Sequence, residues 1–114
     1  MSGPPVLLLV YNRLDTTARV FERIAAARPE TLLVVADGPR ADRPDDPARC
    51  EAVRDLVSHP AWDCDLRLNF APLNMGFNRR ISSGLAWAFS LFEEVPGLMD
   101  QLFRPGSRNL GLTA

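Results

Sequence analysis

The stretch Pro5–Arg13, Pro-Val-Leu-Leu-Leu-Val-Tyr-Asn-Arg, decides the fold. Its residues from Val6 to Tyr11 are apolar and do not alternate with polar residues. Such a run predicts a strand that is covered on both faces, as in a parallel α/β sheet. The polar residues that follow it are Asn12, Arg13 and Asp15. Because open α/β sheets bind ligands beyond the carboxyl ends of their strands, this polar cluster marks a candidate site.

The next segments complete a strand–helix–strand unit with that first strand, which is expected over about residues 5–11. Asp15 has the residue type of an N-cap, and the helix should end at Arg28-Pro29, because the residue before a proline avoids the αR conformation. The apolar run Thr31–Ala36 predicts a second buried strand, which the turn sequence Asp37-Gly38-Pro39 ends. Two strands joined by one helix form a right-handed unit with parallel strands.

A second helix, a third strand and a third helix are expected further along the chain. Asp46 and Pro47 fit the N-cap and the first position of a helix that ends at Ser58-His59-Pro60, where His59 serves as a C-terminal cap rather than a general base. Alternation over Asp65–Phe70 predicts a strand with one wet face, at an edge of the sheet. Apolar residues at helical spacing predict a helix from about Phe77 to Phe92.

The expected fold is α/β: a three-layer α/β/α, Rossmann-like arrangement whose parallel sheet has the strand order 3-2-1. Beyond residue 96 the pattern weakens. Residues 98–103 fit a short helix and residues 104–114 a ragged tail. The predicted division is therefore a nucleotide-binding half over residues 1–95 and a diverged or truncated tail over residues 96–114.

Composition places the chain among small globular domains. It has 114 residues, 46% hydrophobic and 24% charged, with a net charge of -1, which gives no global attraction to nucleic acid or membranes. All 13 basic residues are arginine, and their scatter along the sequence favours coding bias over selection for anion binding. Cys50 and Cys64 fit reduced thiols, and no signal peptide or membrane span is visible, so a cytoplasmic location is expected.

Polar clusters fall at the carboxyl ends of all three predicted strands, and parallel strands bring those ends side by side. The clusters are Tyr11-Asn12-Arg13, Asp37-Gly38, and Asn74-Met75-Gly76 followed by Arg79-Arg80. An Asp at such a place accepts hydrogen bonds from a base imide or a ribose hydroxyl, and an Arg pairs with phosphate in a fork. A glycine at a helix start lets backbone approach an anion. Together these parts suit a nucleotide.

Three motifs carry a resemblance to a known family: Val-Tyr-Asn-Arg at 10–13, Ala-Asp-Gly-Pro-Arg at 36–40, and Asn-Met-Gly at 74–76. In that order and spacing they resemble the amino-terminal, donor-binding half of GT-A fold, family 2-like glycosyltransferases, which are nucleotide-diphospho-sugar transferases. The resemblance covers about residues 4–95. It implies that the nucleobase and ribose are held by Tyr11, Asn12, Arg13 and Asp37. It also implies that the sugar-phosphate side is shaped by Asn74, Gly76 and Arg79 or Arg80.

The chain departs from that family after the third helix. A complete member continues into a fourth strand with an Asp-x-Asp-type motif that binds Mg or Mn and the diphosphate. Here Glu93-Glu94 is followed by Val95–Asp100 without such a motif. The expectation is therefore a donor nucleotide-binding portion that binds a UDP- or other NDP-sugar, holds no metal or catalytic residue of its own, and is inactive alone.

Each cluster taken singly has a plainer interpretation. Asp37-Gly38 and Asn74-Met75-Gly76 fit simple turns, and Arg13 fits a solvated strand end. Arg79-Arg80 fit the wet face of a helix. The acidic residues of the intervening loop, Asp42, Asp45 and Asp46, are explained by solvation and helix capping rather than by a metal. The arrangement of the three polar clusters at adjacent strand ends nevertheless favours the nucleotide site over these separate interpretations.

Other functions remain open on the sequence. The main alternative is a non-catalytic nucleotide-binding or interaction module of the same Rossmann-like fold. A phospho-receiver-like domain is disfavoured, because the third strand ends in Phe70-Ala71-Pro72 without an acceptor aspartate. The first strand would leave one edge unpaired beside exposed leucines, which predicts self-association through that edge.

Overall fold

A computed structural model describes residues 5–91, in which strands and helices alternate. The elements are β1 (Val6–Val10), α1 (Leu14–Ala27), β2 (Thr31–Ala36), α2 (Asp46–Val57), β3 (Asp65–Phe70) and α3 (Phe77–Leu91). The predicted α/β class is confirmed, as are the bounds of the second and third strands. The predictions for residues 92–114, namely the short helix over 98–103, the tail and the absent acidic motif, lie outside the described residues.

The three strands form one parallel sheet in which the hydrogen-bonded neighbours run β1-β2-β3. Leu8 on β1, Val34 on β2 and Leu68 on β3 lie in register across it. Every residue of β1 is buried, as the unbroken apolar run predicts. Among the described residues β3 pairs with β2 alone, which confirms its predicted place at an edge. The predicted alternation of a buried and a wet face is wrong, because no residue of β3 is fully buried and Leu68 is 40% exposed.

Helices α1 and α2 pack against one face of the sheet. Phe21 and Ile24 of α1 and Val53 and Val57 of α2 share a buried cluster with Leu8 and the other residues of that face. Two right-handed crossovers that step in the same direction across a sheet place both helices on the same side, which accounts for this arrangement.

Helix α3 packs against the opposite face, where Ala88 joins Leu7, Leu33 and their same-face neighbours in a second buried cluster. Gly84 lets the helix lie close to the sheet, since a Cβ there would be 2.9 Å from Cγ1 of Val35. The helix starts at the carboxyl end of β3 and contacts β1 and β2, so its first turn borders the edge of the sheet where ligands are expected.

Two predicted helix caps are wrong. Helix α1 begins after Arg13, so Asp15 lies in the first turn, where its charge suits the helix dipole, and no side chain caps the helix. Asp46 is the first residue of α2, but its carboxylate does not cap that helix, because residues distant in sequence bind it instead. At the other end of α2, a ring nitrogen of His59 lies 2.8 Å from the Asp55 carbonyl oxygen, as a C-terminal cap would.

Candidate functional site

A cleft of about 480 Å³ opens at the carboxyl edge of the sheet. Among the predicted site residues, seven line it: Tyr11, Asn12, Arg13, Asp37, Asn74, Gly76 and Arg80. The parallel register explains this, because β1, β2 and the loop after β3 all end at this edge. Gly38 and Arg79 do not line the cleft, although the same prediction included them.

Asp37 is the organising carboxylate of the strand ends, and it is only 6% exposed. Its Oδ1 accepts hydrogen bonds from the backbone amides of Gly38 and Met75, both at 2.8 Å. Its Oδ2 accepts from the Gly76 amide at 3.1 Å and from the Asn74 side-chain amide at 3.3 Å. A carboxylate has about four lone-pair positions. Donors from the chain occupy those of Asp37, so this side chain ties the turn over residues 74–76 to the end of β2.

Two glycines allow that turn to approach the end of β2, for different reasons. At Gly38 the limit is space, since a Cβ there would lie 2.6 Å from the Leu73 carbonyl oxygen. At Gly76 the limit is conformation, because its φ is 85° while nothing lies within 4 Å of its Cβ position. The Gly76 carbonyl accepts the first hydrogen bond of α3, from the Arg80 amide at 2.9 Å. Gly38 therefore supports the cleft from behind without lining it.

The sequence pattern predicts only a helix cap at Asp46, whereas the structure gives this residue a role in supporting the site. It is 1% exposed, and its carboxylate accepts hydrogen bonds from the Tyr11 hydroxyl, from the Asn12 side-chain amide at 2.9 Å and from the Arg40 backbone amide at 2.9 Å. These bonds fasten the end of β1 to the loop before α2. The buried Asp46 carboxylate does not line the cleft itself but holds three residues that do, Tyr11, Asn12 and Arg40.

The hydrogen bonds that the Asp46 carboxylate accepts shift the pKa values of both Asp46 and Tyr11. Burial alone would raise the pKa of Asp46, but the hydrogen bonds from Tyr11, Arg40 and Asn12 outweigh it and lower the pKa below the ordinary value. The pKa of Tyr11 is raised, first by burial and then by the hydrogen bond to the Asp46 carboxylate and the charge beside it. At neutral pH the pair is therefore an ionised carboxylate and a neutral phenol.

Arg80 closes the gap between the ends of β2 and β3 from the α3 side. It is 4% exposed, and it donates from Nε to the Ala36 carbonyl at 3.1 Å and from one terminal nitrogen to the Asn69 carbonyl at 2.6 Å. The other terminal nitrogen bonds the Ser83 hydroxyl. Burial lowers the pKa of Arg80, and the neighbouring Asp37 charge opposes that effect. The interpretation of Arg80 as part of a wet helix face is wrong, whereas Arg79 is exposed.

Arg54 of α2 makes the matching contact from the other face of the sheet. One terminal nitrogen donates to the carbonyls of Asp37 at 3.1 Å and Ala71 at 2.6 Å. Its guanidinium also lies 4.9 Å from the centre of the Phe70 ring. Arg54 and Arg80 thus donate hydrogen bonds to the strand-end carbonyls from the two faces of the sheet.

Four exposed arginines surround the outer part of the cleft: Arg13, Arg40, Arg43 and Arg49. The scatter of the arginines along the sequence predicts no anion site, and of these four only Arg13 is a predicted site residue. The sequence signal for the other three is the spacing of Arg40, Arg43 and Arg49 within one loop and the first turn of the following helix. Arg40 pairs with Asp42 at 3.3 Å and Arg49 with Asp45 at 2.9 Å, both between exposed side chains.

Apolar and amide side chains complete the lining. Phe77 opens α3 with 54% of its surface exposed at the cleft, and sequence reasoning did not include it in the site. Asn12 and Asn74 each use their NH₂ group on protein acceptors, which leaves their Oδ1 atoms to accept hydrogen bonds. The cleft thus combines an aromatic surface, amide oxygens that can accept hydrogen bonds, and the guanidinium groups of the exposed arginines.

Within residues 5–91, no three His, Cys, Asp and Glu side chains are grouped so that they could hold a metal ion. In the same part of the chain, no helix is long and apolar enough to cross a membrane. Cys50 is buried and Cys64 half-buried, both are free, and burial raises the pKa of both thiols. Neither is a reactive thiolate at neutral pH.

Comparison of the chain with protein-family models, with curated proteins and with solved structures finds no match.

Proposed function

We propose that the chain binds a nucleotide at the carboxyl edge of its sheet, as the donor-binding portion of a nucleotide-diphospho-sugar transferase. The observation that carries the proposal is the charge of the cleft. Five arginines line it, and among its described lining residues the single carboxylate is that of Asp37, whose oxygens are taken up by chain donors. A cleft with this lining attracts a phosphorylated ligand.

The remaining lining residues suit the nucleoside part of such a ligand. The rings of Tyr11 and Phe77 offer apolar surface against which a base can stack. The Oδ1 atoms of Asn12 and Asn74 are acceptors for a base imide or a ribose hydroxyl. In this proposal they take the acceptor role that the family resemblance implies for Asp37, and Asp37 positions Asn74 instead.

The motif resemblance supports the finer statement: a three-layer, Rossmann-like fold of the GT-A type with strand order 3-2-1 and a UDP- or other NDP-sugar as ligand. A complete member of that family uses Mg or Mn on an acidic motif. The described residues do not fit such an ion, because no three acidic, His or Cys side chains among them are grouped around one point, and the buried carboxylates of Asp37 and Asp46 already accept four and three hydrogen bonds. We therefore derive no transfer step and propose binding alone.

The proposal is tested by titrating the ¹⁵N-labelled chain with uridine diphosphate. A partial site supplying on the order of 4 kcal/mol corresponds to a millimolar dissociation constant. Shifts are expected at the amides of Asn12, Asn74 and Gly76, and Phe77→Ala should weaken binding severalfold. The matched control is Phe89→Ala, which removes an exposed phenylalanine of the same helix that does not line the cleft. Absent shifts, or equal affinities of the two variants, would refute the site.

A second titration distinguishes the donor-half proposal from the alternative of a general nucleotide-binding module. A donor site should bind a UDP-sugar at least as tightly as uridine diphosphate, because the sugar belongs to its ligand. A module that recognises only the nucleotide should lose affinity when a sugar blocks the terminal phosphate.

A further inference from the structure

We propose that Arg13, Arg40, Arg43 and Arg49, here called the arginine rim, bind two linked phosphates directly, without a bridging divalent cation. This inference rests on the proposed function and deepens it, since it names the ligand class as a diphosphate and its mode of binding as guanidinium forks. It depends on the position of the rim, the availability of its guanidinium groups and the state of the nearby carboxylates.

Position is given by two neighbouring cavities. A second, more open groove between the start of α1 and α2 shares Asn12, Arg13 and Arg49 with the cleft. Arg13 and Arg49 therefore stand at the boundary of the two cavities. In this proposal a ligand whose nucleoside fills the cleft places its phosphates at this boundary, not at Asn74 and Gly76 as the resemblance implies. The groove beyond then leaves room for the group that the second phosphate carries.

Availability follows from the weakness of the existing contacts. Arg40 and Arg49 form ion pairs only with exposed aspartates. Because such exposed pairs contribute little free energy, a phosphate can replace the aspartates as the partner of each guanidinium group. Arg13 and Arg43 take part in none of the ion pairs found among residues 5–91, and the charge of Arg43 acts on the Asp46 carboxylate from a distance. Arg80 differs, because its guanidinium is buried against backbone carbonyls, so it adds charge to the cleft but no free fork.

The state of the carboxylates argues against a bridging cation. A divalent ion at the phosphates takes carboxylate or carbonyl oxygens from the protein. Asp37 holds four hydrogen bonds and Asp46 holds three, so neither has oxygens to offer without losing the contacts that shape the cleft. Asp42 and Asp45 are exposed beside the rim, but among residues 5–91 they belong to no group of three acidic, His or Cys side chains that could hold an ion. The guanidinium groups of the rim supply the positive charge that an ion would otherwise bring.

Calorimetric titration of the full chain with inorganic pyrophosphate, orthophosphate, uridine and uridine diphosphate tests the rim. We expect pyrophosphate to bind about tenfold more tightly than orthophosphate, because a second phosphate engages a second fork. Affinity should be the same in EDTA and in manganese, and it should fall as salt is raised. Manganese-dependent binding, or equal affinity for the two anions, would overturn the inference.

Arg13→Ala and Arg49→Ala should each reduce pyrophosphate affinity by about fivefold or more, and Arg49→Lys should restore part of it, because lysine keeps the charge and loses the fork. Arg79→Ala removes the same charge from an exposed position outside the cleft and should leave affinity unchanged. Equal losses in all variants would indicate general charge attraction and refute the rim. Binding of uridine diphosphate that neither Arg13→Ala nor Arg49→Ala weakens refutes the rim and leaves the proposed function intact. Pyrophosphate binding that uridine diphosphate does not exceed supports the rim and refutes the nucleotide site.

Discussion

Asn12, directly after β1, donates its side-chain amide to Asp46, the first residue of α2, over 2.9 Å. The Tyr11 hydroxyl and the Arg40 amide donate to the same carboxylate. One buried charge thereby joins the end of the first strand, the loop that carries Arg40 and Arg43, and the helix that carries Arg49. The geometry of the cleft should consequently depend on this carboxylate more than on any exposed aspartate nearby.

Asp46→Ala should destabilise the fold by about 2–4 kcal/mol, because it leaves three donors in a buried place without their acceptor. Urea unfolding followed by tryptophan fluorescence measures the loss. Asp45→Ala is the matched control, since Asp45 is exposed and pairs only with Arg49. Equal unfolding midpoints for the two variants would contradict the assigned role.

The stabilisation from Asp46 should also depend on pH. Its pKa in the folded chain is lowered, so the contribution is complete above the ordinary value of 3.8 and is lost as pH falls through the lowered folded pKa. The stability gap between the wild-type chain and Asp46→Ala should accordingly be constant near neutral pH and narrow below about pH 4. A gap that stays constant into strong acid would show that the ionised form is not favoured.

Tyr11 should resist ionisation in alkali, because its pKa is raised above the ordinary 10.0. It is the single tyrosine of the chain, so absorbance at the tyrosinate band reports it alone. For a neutral acid with a raised folded pKa, stability is complete below the ordinary value and is lost as pH rises beyond it. We expect the absorbance to rise only above pH 10 in the wild-type chain and at lower pH in Asp46→Ala. Superimposable curves would contradict the hydrogen bond.

The two turn glycines should respond differently to alanine. At Gly38 a methyl group collides with the Leu73 backbone, so Gly38→Ala must displace the loop and should cost well over 1 kcal/mol. At Gly76 space is open and only the positive φ is at stake, so Gly76→Ala should cost about 1 kcal/mol and Gly76→Asn less. Thermal unfolding gives the order. A larger loss at Gly76 than at Gly38 would reverse the assignment.

Asp37→Ala should abolish nucleotide binding by releasing the turn over residues 74–76. Hydrogen exchange at the Met75 and Gly76 amides should accelerate in the free variant, since both amides donate to the Asp37 carboxylate. An aspartate that only contacts the base would leave these amides unchanged in the absence of ligand. Loss of nucleotide binding with unaltered hydrogen exchange at these amides would instead support a direct contact between Asp37 and the base, as the resemblance implies.

Self-association through the first strand remains a prediction. Among residues 5–91, β1 pairs with β2 alone, so its second edge has no strand partner in that part of the chain. The leucines of β1, expected to be exposed beside that edge, are buried, so the backbone edge alone supports the prediction. Light scattering with size-exclusion chromatography should show mass rising with concentration, together with slower exchange of the amides over Val6–Val10. The amides of β2 serve as an internal control, because that strand is paired on both sides. A monomer at every concentration would refute the prediction.

The class of fold and the place of the cleft could be predicted from local patterns. An unbroken apolar run such as Leu32–Val35 indicates a strand buried on both faces, and turn residues show where it ends. Once the strands are parallel, their carboxyl ends share one edge, so Tyr11, Asp37 and Asn74 had to meet there. The pattern of burial along a strand depends on residues that are close in sequence, so the fold class and the place of the cleft can be predicted from the sequence alone.

The use of each polar side chain was decided only by tertiary structure. Asp46 looks like a helix cap because caps are local, yet its side-chain partners Tyr11 and Asn12 lie 35 and 34 residues away. Arg80 looks solvated on a helix, yet it is held by carbonyls of two strands. A hydrogen bond needs its two groups about 3 Å apart, and only the packed fold brings such distant groups together. The sequence by itself therefore determined where the cleft lies, and the tertiary structure decided which charges face into it.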